Sequence, residues 1–390
     1  MKNLRCDTAP HASASGLRHA LAAGGLALLA ALAATTAGAG ERAGAVYVLD
    51  NQPAPAGNAI LVYARAADGT LTPSGSVATG GNGYFVANGS NPVPDPLGSQ
   101  HALVHSHGLL LAVNAGSNDI SVFDADGTHL QLVDREPSGG IEPVSIAVHG
   151  LLVYVLNSAA NTAGALPNIS GFVIDPIRHR LVPLPNSQRP LAGGAKAAPA
   201  QVSFADGGDV LMVTEKGTQT IDTYAVNRYG YATAPVAHPS SGAVPFGFAI
   251  TRRGDAIVSE AGAAAASSYD IDRDGSLSLL SASVALTGQK APCWLEATHD
   301  GRYAYTANAG TGTISSLGIA PDGALTLLSA SAASGVAIPL DMALSHGGPY
   351  LYVRGGTGTV NGFRIESDGS LTPVNAAAGI PNGAQGIAAD

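Results

Sequence analysis

Residues 292–329 read PCWLEATHDGRYAYTANAGTGTISSLGIAPDGALTLLS, a run of short segments separated by turn-forming residues. The alternation of large and small side chains within Arg302–Ala307 is typical of a half-buried strand. Gly supplies a positive φ in the Asp-Gly turns, and Asp bonds its own backbone there. The stretch therefore predicts an antiparallel meander of four strands, at Trp294–Ala297, Arg302–Ala307, Thr313–Ile319 and Leu325–Leu328.

The same unit recurs along the chain at intervals of 44 to 56 residues. A proline or a small residue opens each copy, at Ser99, Pro143, Pro199, Pro245, Pro292, Pro339 and Gly383. Four strands per repeat of this length indicate a β-propeller with one blade per repeat. The last copy, Gly383–Asp390, consists of a first strand alone, whereas Val46–Val77 is a blade without a first strand. We therefore predict an all-β, seven-bladed β-propeller, closed by pairing of the C-terminal strand with the N-terminal blade.

The first 39 residues differ from the repeats. Lys2, Arg5 and Arg18 precede an apolar run at Ala20–Ala34, and small residues at positions 37–39 fit a cleavage site. This order is typical of a secretory signal peptide, and the apolar run is short for a membrane span. We predict a signal peptide at residues 1–39 and a propeller at 40–390, secreted to the periplasm or the extracellular space. A retained anchor is the alternative.

The mature chain is acidic. Removal of residues 1–39 takes away three of 19 cations and one of 28 anions, which leaves a net charge of −11. This charge disfavours nucleic acid and anionic lipid as partners, and no membrane span is expected once the signal is removed. Cys293 is then the only cysteine, so the ring must close by strand pairing and not by a disulfide. We expect a monomer that binds a small molecule.

Successive connections of an antiparallel meander alternate between the two faces of the propeller disc. The turns between first and second strands, and between third and fourth, share one face, here called the turn face. The opposite loop face carries all the long connections, at residues 51–58, 80–98, 157–168 and 185–198. A rigid scaffold usually carries its site on its variable loops. We therefore predict a site at the loop-face mouth of the central channel.

The repeat resembles the seven-bladed lactonase-type propellers, of the 6-phosphogluconolactonase and carboxymuconate cyclase type. The resemblance covers residues 46–390 and rests on the DGRYAYTAN run at 300–308, the GTGTI run at 310–314 and the D-G-x-L-T turns at 68–72, 322–326 and 368–372. It implies the propeller fold and hydrolysis of a lactone. The catalytic signature of that family is Pro-Arg-His at the start of a first strand, with a glutamate ending the following second strand.

No blade of this chain has Pro-Arg-His, but the glutamate position is kept as Glu215 and Glu260. Opening a lactone with water needs a base for the water and a cation or donor for the oxyanion. We predict Glu215 and Glu260 as candidate general bases and Arg354 as the catalytic cation. The alternative is that both glutamates are solvated carboxylates near loop lysines.

The other polar positions of the predicted mouth are assigned to ligand binding: His101, Gln201, Trp294, Asn308 and Asp341. Trp294, the only Trp, is either a stacking platform for a ring or a wedge between two blades. No metal or other cofactor is expected, because Asp270–Gly275 lacks the final glutamate of a calcium loop. The sequence is compatible with a hydrolase of an uncharged sugar or aromatic lactone, or with a non-catalytic ligand- or protein-binding propeller.

Overall fold

The computed structural model of the protein describes residues 42–84, 94–205 and 207–390, and the backbone at 87–88 and 91–92. The predicted signal peptide lies outside the described residues. Within the described part of the chain, helix is limited to one 3₁₀ turn at Gly194–Lys196. No helix there is long and apolar enough to cross a membrane.

Seven antiparallel four-stranded sheets form the blades, numbered here from the N-terminal one. Blade 1 contains Ile387–Ala389, Gly44–Leu49, Ala59–Arg65 and Leu71–Ala78, in that order from the centre outward. The other six follow chain order: blade 2, Leu103–Ser106, Leu109–Asn114, Asp119–Asp126, His129–Pro137; blade 3, Pro143–His149, Leu152–Asn157, Asn168–Asp175, Arg180–Pro183; blade 4, Pro199–Phe204, Val210–Glu215, Thr220–Ala225, Val236–Pro239; blade 5, Pro245–Ile250, Ala256–Glu260, Ala265–Ile271, Leu277–Ala285; blade 6, Pro292–Ala297, Tyr303–Asn308, Thr313–Ile319, Leu325–Ser334; blade 7, Pro339–Leu344, Tyr350–Gly355, Thr359–Ile365, Leu371–Ala378.

Two short additions lie outside these strands. Arg189–Pro190 pairs with the third strand of blade 3, and Ala87–Asn88 pairs with Asn91–Pro92 in the linker between blades 1 and 2. The first strands of neighbouring blades contact one another around a complete circle. The seven-bladed, all-β prediction is therefore confirmed.

The ring closes as predicted. Val46 pairs with Ala389 and Val48 with Ile387, so the C-terminal strand becomes the innermost strand of blade 1. Arg65 reinforces the closure, because its Nε and Nη2 donate to the main-chain oxygen of Asp390 at 3.1 and 2.8 Å. Backbone pairing thus replaces a crosslink between the two ends.

A repeated tyrosine contact explains two of the sequence motifs. Tyrosines on second strands cross to the next blade and donate their hydroxyls to a glycine carbonyl in its outer turn, as Tyr305 does to Gly369 at 3.0 Å and Tyr352 to Gly69 at 2.8 Å. Second strands are almost wholly buried, whereas outer strands such as Leu325–Ser334 consist mostly of half-buried and exposed positions. The Tyr-Ala-Tyr and Asp-Gly motifs therefore join adjacent blades.

Candidate functional site

The residues that end the second strands belong to a buried polar clasp within each blade. In blade 6, Asn308 donates to Thr313 Oγ1 at 3.1 Å and to Ser315 Oγ at 2.8 Å. Asn114 and Asn157 make comparable contacts with the third strands of their own blades. Asn308 therefore faces its own blade, and the geometry does not bring it to the channel.

Glu260 occupies the clasp position of blade 5 and is fully buried. Its Oε1 accepts from Gly242 N at 2.7 Å and Ser267 Oγ at 2.6 Å, and its Oε2 accepts from Ser283 Oγ at 2.7 Å. Both carboxylate oxygens are thus used to hold the linker and the outer strands.

Glu215 has the same position in blade 4 and is also fully buried. Its carboxylate accepts from Gly193 N at 3.1 Å and from the Thr218 hydroxyl. Burial, with Glu215 adding to it, raises the pKa of the adjacent Asp222 to about 7. The expectation of solvated or mouth-facing glutamates is therefore wrong for both, because the clasp takes them inside the blade.

Arg354, the predicted catalytic cation, lies one residue before the clasp position of blade 7. Gly355 pairs with Thr359 as Asn308 pairs with Thr313, so Gly355 is the clasp position of blade 7. Since side chains alternate along a strand, Arg354 points to the other side of the sheet. There it is fully buried, and its Nη2 donates to Pro94 O at 2.7 Å.

The loop-face end of the channel is covered by residues Pro94–Ser99, here called the cap segment. Trp294 lies beneath it, 1% exposed, with Nε1 donating to Ser99 O at 2.8 Å and its ring 5.0 Å from that of Phe246. In this conformation Trp294 packs between blades 5 and 6 and offers no free face. The predicted open mouth at this end is therefore wrong, because the cap segment folds across it.

An ion pair lies deeper in the channel. His101 Nε2 is 3.5 Å from Glu296 Oε1, and the two side chains are 30% and 16% exposed. Gln201 Nε2 lies 3.2 Å from His101 Nδ1 and donates to Phe248 O at 2.8 Å. Gln100 donates to Glu296 Oε1 at 3.0 Å. These four polar side chains come from blades 2, 4 and 6 and fix the geometry of the pair.

A cavity of about 160 Å³ connects this pair to the turn face. His101 and Glu296 line its inner part, together with apolar side chains such as Leu103 and Met342. Its outer part is lined by three imidazoles: His105, His299 and His346. The rings of His299 and His346 are stacked at 5.3 Å, and His105 meets His346 edge-on at 6.2 Å. The cavity thus lies on the face opposite to the one predicted.

Electrostatics link the pair to Asp341, which is 1% exposed. Burial raises the pKa of Asp341 to about 7, with His101 and Arg354 opposing the shift and Glu296 adding to it. Burial opposes protonation of His101, but the carboxylates of Glu296 and Asp341 outweigh it and raise the pKa of this imidazole. His101, Gln201 and Asp341 are therefore the predicted site residues that share one environment with Glu296.

Glu296 is the site residue that the sequence analysis did not identify. It stands two residues after Trp294 in a first strand, and alternation places both side chains on the same side. A charged residue in a strand whose equivalents are mostly apolar was the available signal. No group of three or more His, Cys, Asp or Glu side chains suited to a metal ion occurs among the residues described.

Comparison with known proteins agrees with this architecture. The family model for the lactonase seven-bladed β-propeller matches residues 256–337. A candidate 6-phosphogluconolactonase from Bacteroides fragilis is 17% identical, with a TM-score of 0.65 over 90% of this chain and 98% of the other. The periplasmic gluconolactonase of Pseudomonas aeruginosa is 15% identical, with a TM-score of 0.64 over 88% and 98%.

A candidate 6-phosphogluconolactonase from Bacteroides uniformis gives a similar result, at 17% identity and a TM-score of 0.66 over 88% of this chain and 99% of the other. A search of curated protein sequences found no match. At these identities the structural neighbours establish the fold, and the family model covers the last three strands of blade 5 and all of blade 6. The resemblance stated from the sequence is confirmed: the chain is a lactonase-like seven-bladed β-propeller.

Proposed function

We propose that this protein hydrolyses a small monocyclic lactone in the turn-face cavity, with Glu296 as general base and His101 as the cation facing the oxyanion. The observation that carries the proposal is the His101–Glu296 pair at the inner end of that cavity. A carboxylate beside an imidazolium supplies both groups that lactone opening requires, a base for water and a donor for the developing negative charge.

The hydrogen bonds of Glu296 suggest which oxygen acts. Oε1 is held by Gln100 and lies near His101, whereas Oε2 accepts no hydrogen bond from the described residues. Oε2 would take a proton from water as the water oxygen bonds to the carbonyl carbon. The imidazolium of His101 would stabilise the resulting oxyanion. The ring C–O bond then breaks, the leaving oxygen receives the proton from Glu296, and the product is a hydroxy acid.

The size of the cavity limits the substrate. A protein cavity of about 150 Å³ admits one benzene molecule, so the cavity of about 160 Å³ suits a single six-membered ring. The stacked imidazoles of His299 and His346 are placed to contact the face of such a ring at the entrance. A monocyclic sugar lactone or a lactone derived from an aromatic acid fits these limits.

We further propose that the protein is secreted, to the periplasm or outside the cell, and acts as a monomer. The signal-like order of residues 1–39 supports secretion, and one structural neighbour is a periplasmic enzyme. Such a location would expose the protein to small neutral metabolites.

The test measures the hydrolysis of glucono-δ-lactone and of a panel of uncharged lactones. The acid that the reaction releases is titrated at constant pH. Loss of a general base typically lowers the rate about 10²- to 10⁴-fold, so we expect Glu296→Gln to lose activity on this scale. Glu366→Gln, the same change in an outer turn of blade 7, should keep kcat/KM. Full activity in a folded Glu296→Gln protein would refute the assignment.

Glu260→Gln decides between this assignment and the one made from sequence. If Glu260 only holds the blade-5 clasp, its variant should lose stability but keep the kcat/KM of the folded fraction. A fall in kcat/KM with unchanged stability would return the catalytic role to Glu260.

A non-catalytic binding protein is the second candidate. It is favoured by one observation, that the two glutamates at the family's catalytic position are both used in internal hydrogen bonds. Under this alternative, calorimetry would detect lactone binding to the wild type, and no lactone of the panel would be turned over faster than in buffer.

A further inference from the structure

Three imidazoles from three blades surround the entrance of the turn-face cavity. His105 belongs to the first strand of blade 2, whereas His299 and His346 lie in the turns that follow the first strands of blades 6 and 7. The rings of His299 and His346 are stacked at 5.3 Å, and His105 meets His346 edge-on at 6.2 Å. The three side chains therefore form one contiguous group, here called the imidazole cluster.

Two hydrogen bonds fix which ring nitrogens can gain a proton. His299 Nε2 is 3.2 Å from Ser345 O, and His346 Nδ1 is 3.1 Å from Ala389 O. A carbonyl oxygen only accepts, so each of these nitrogens carries its hydrogen even in the neutral ring. Acidification therefore adds the proton at His299 Nδ1 and at His346 Nε2. Neither of these atoms makes a hydrogen bond within the described residues.

No carboxylate of the described residues lies within 4 Å of a nitrogen of the imidazole cluster. The other charged and titratable side chains around the cluster are Arg42, Tyr47, Arg65, Glu296, Asp300 and Asp390. This set contains two cations and three carboxylates. Whether the carboxylates can neutralise protonated imidazoles depends on the partners that they already have.

Each of these three carboxylate residues has a cation beside it. The pairs are Glu296 with His101 at 3.5 Å, Asp300 with Arg302 at 4.0 Å, and Asp390 with Arg65, whose Nε and Nη2 donate to its main-chain oxygen at 3.1 and 2.8 Å. Protons added to the imidazole cluster therefore create positive charge that no carboxylate of the described residues contacts.

The rings of the cluster also repel one another once they are charged. Burial lowers the pKa of His105, and His346 adds to this shift, whereas Asp390 opposes it. An anion between the rings would offset this repulsion, because it attracts every imidazolium beside it. Anion binding and proton uptake would then favour each other to the same extent, as linkage requires.

We propose that the imidazole cluster binds a small carboxylate in acid solution, with the protonated His299 Nδ1 and His346 Nε2 as its hydrogen-bond donors. The cavity of about 160 Å³ admits a monocarboxylate no larger than a single six-membered ring. Glu296 at the inner end repels a further anion, so the carboxylate is expected at the entrance.

The product of the proposed reaction, a hydroxy acid, belongs to this class of ligand. The cluster would therefore retain the product as the medium becomes acid and slow further turnover. This consequence rests on the proposed function, whereas carboxylate binding itself does not. In neutral rings the same two nitrogens are acceptors and do not attract an anion. The expected preference for uncharged lactones therefore holds at pH 7.5 and above.

The arrangement favours an anion over a metal ion. Imidazoles that hold a metal must direct their lone pairs to one point at about 2.0–2.1 Å, and the described residues contain no group of three or more suitable ligands. Hydrogen bonds from imidazolium to carboxylate are longer, at about 2.7–2.9 Å, and do not require the nitrogens to converge so closely. Phosphate normally binds an arginine cluster, and no arginine lines this cavity.

Calorimetry of the full-length protein with acetate, at pH 5.5 and 7.5 and constant ionic strength, tests the proposal. An imidazole with the ordinary pKa of about 6.5 changes its protonated fraction about tenfold over this range. We expect acetate to bind at least about tenfold more tightly at pH 5.5. Titrations in two buffers of different ionisation enthalpy should show proton uptake on binding at pH 6.5. Acetamide, the uncharged analogue, should bind equally at both pH values.

Variants locate the site. In His299→Gln and His346→Gln the amide still offers a donor to the main-chain carbonyl but cannot gain a proton. The double variant should reduce the pH effect on acetate affinity to less than about threefold, and each single variant should fall between it and the wild type. His129→Gln, the same change at an exposed position of the outer strand of blade 2, should keep the full effect.

Two results would overturn the proposal. One is a wild-type acetate affinity that is equal at pH 5.5 and 7.5. The other is a full pH effect in the double variant, which would assign acetate to His101 or to another site. If the double variant does not fold, a single variant that keeps the wild-type pH effect has the same meaning. No lactone is used, so a negative result here leaves the proposed hydrolysis to its own test.

Discussion

The two ends of the channel are built from the same seven first strands and differ in almost every other respect. At the turn face, short turns leave an open cavity lined by His105, His299 and His346. At the loop face, the cap segment at the end of a long connection lies across the channel and buries Trp294 and Arg354. The difference shows that connection length, and not the repeat, decides which end of this propeller is accessible.

The charges at the two ends differ as well. The turn-face end combines imidazoles with one carboxylate, Glu296, at the bottom of the cavity. Among the described residues, the loop-face end combines the cations Arg354 and Lys216 with the buried carboxylates of Asp95 and Asp341. The turn-face cavity is accessible in this structure. At the loop face, the cap segment would have to move before a ligand could enter.

Removal of the C-terminal strand should disturb both ends at once and have the largest effect. Deletion of Gly383–Asp390 takes away Gln385 at the loop face and the Ala389 carbonyl that lies 3.1 Å from His346 Nδ1 at the turn face. It also leaves Gly44–Leu49 as an unpaired edge. We expect insolubility or loss of cooperative unfolding in calorimetry. Gln385→Ala is the milder control, and a truncated protein that melts like the full chain would contradict the closure.

Trp294→Ala should separate the ends by stability. Truncation of a fully buried aromatic side chain costs roughly 3–5 kcal/mol of unfolding free energy, and Trp294 also loses its bond to Ser99. His299→Ala at the exposed turn-face end should cost no more than about 0.5 kcal/mol. Urea unfolding of both variants measures the difference. A Trp294→Ala protein as stable as the wild type would favour the stacking-platform hypothesis.

Asp341 and His105 should respond to pH in opposite directions. The pKa of Asp341 is raised from 3.8 to about 7 by burial, so its contribution to stability is complete below pH 3.8 and is lost as pH rises to about 7. Burial lowers the pKa of His105, with His346 adding and Asp390 opposing. Its contribution is therefore present above pH 6.5 and is lost as pH falls through the lowered value.

Unfolding free energies measured from pH 4 to 8 check this contrast. Asp341→Asn should flatten the decline between pH 4 and 7, and His105→Gln should flatten the loss on the acid side. Asp222, whose pKa is also raised to about 7, gives a decline of the same sign in blade 4, so each variant is compared with the wild type. Unchanged slopes in both variants would show that neither group titrates as described.

The smallest expected effect is that of a phosphate on the lactone. A phosphate monoester adds about −1.5 to −2 charges, and the chain has a net charge of −9, or −11 without the predicted signal peptide. The turn-face cavity is lined by Glu296 and by His105, whose pKa is lowered, and no arginine is among its lining residues. Calorimetry should show phosphorylated sugar lactones binding no more tightly than the plain ones. Tighter binding of the phosphorylated form would assign the substrate to a different charge class.

The repeat, the turns and the closure were determined by the sequence alone. Period-2 alternation and Asp-Gly turns are local signals, and each was repeated often enough to define the blade. The unmatched strands at the two termini then required a composite blade, and the pairing of Val46 with Ala389 confirms it. Local chemistry sufficed because each blade is a meander of neighbouring segments.

The positions of the candidate site residues depend on tertiary structure. The prediction for Arg354 was wrong by one residue. Gly355 holds the clasp position but has no side chain to mark it, so Arg354 lies on the opposite side of the strand. The clasp drew Glu215 and Glu260 inside their blades. These outcomes depend on neighbours that no single strand pattern identifies.

The accessible end of the channel was decided in the same way. The bond from Trp294 to Ser99 and the bond from Gln100 to Leu295 each join residues 195 apart in sequence. The path of a long linker depends on such distant partners, and a pattern of polar and apolar residues within the linker does not encode them. The sequence thus determined the ring, and long-range contacts decided where a ligand can enter it.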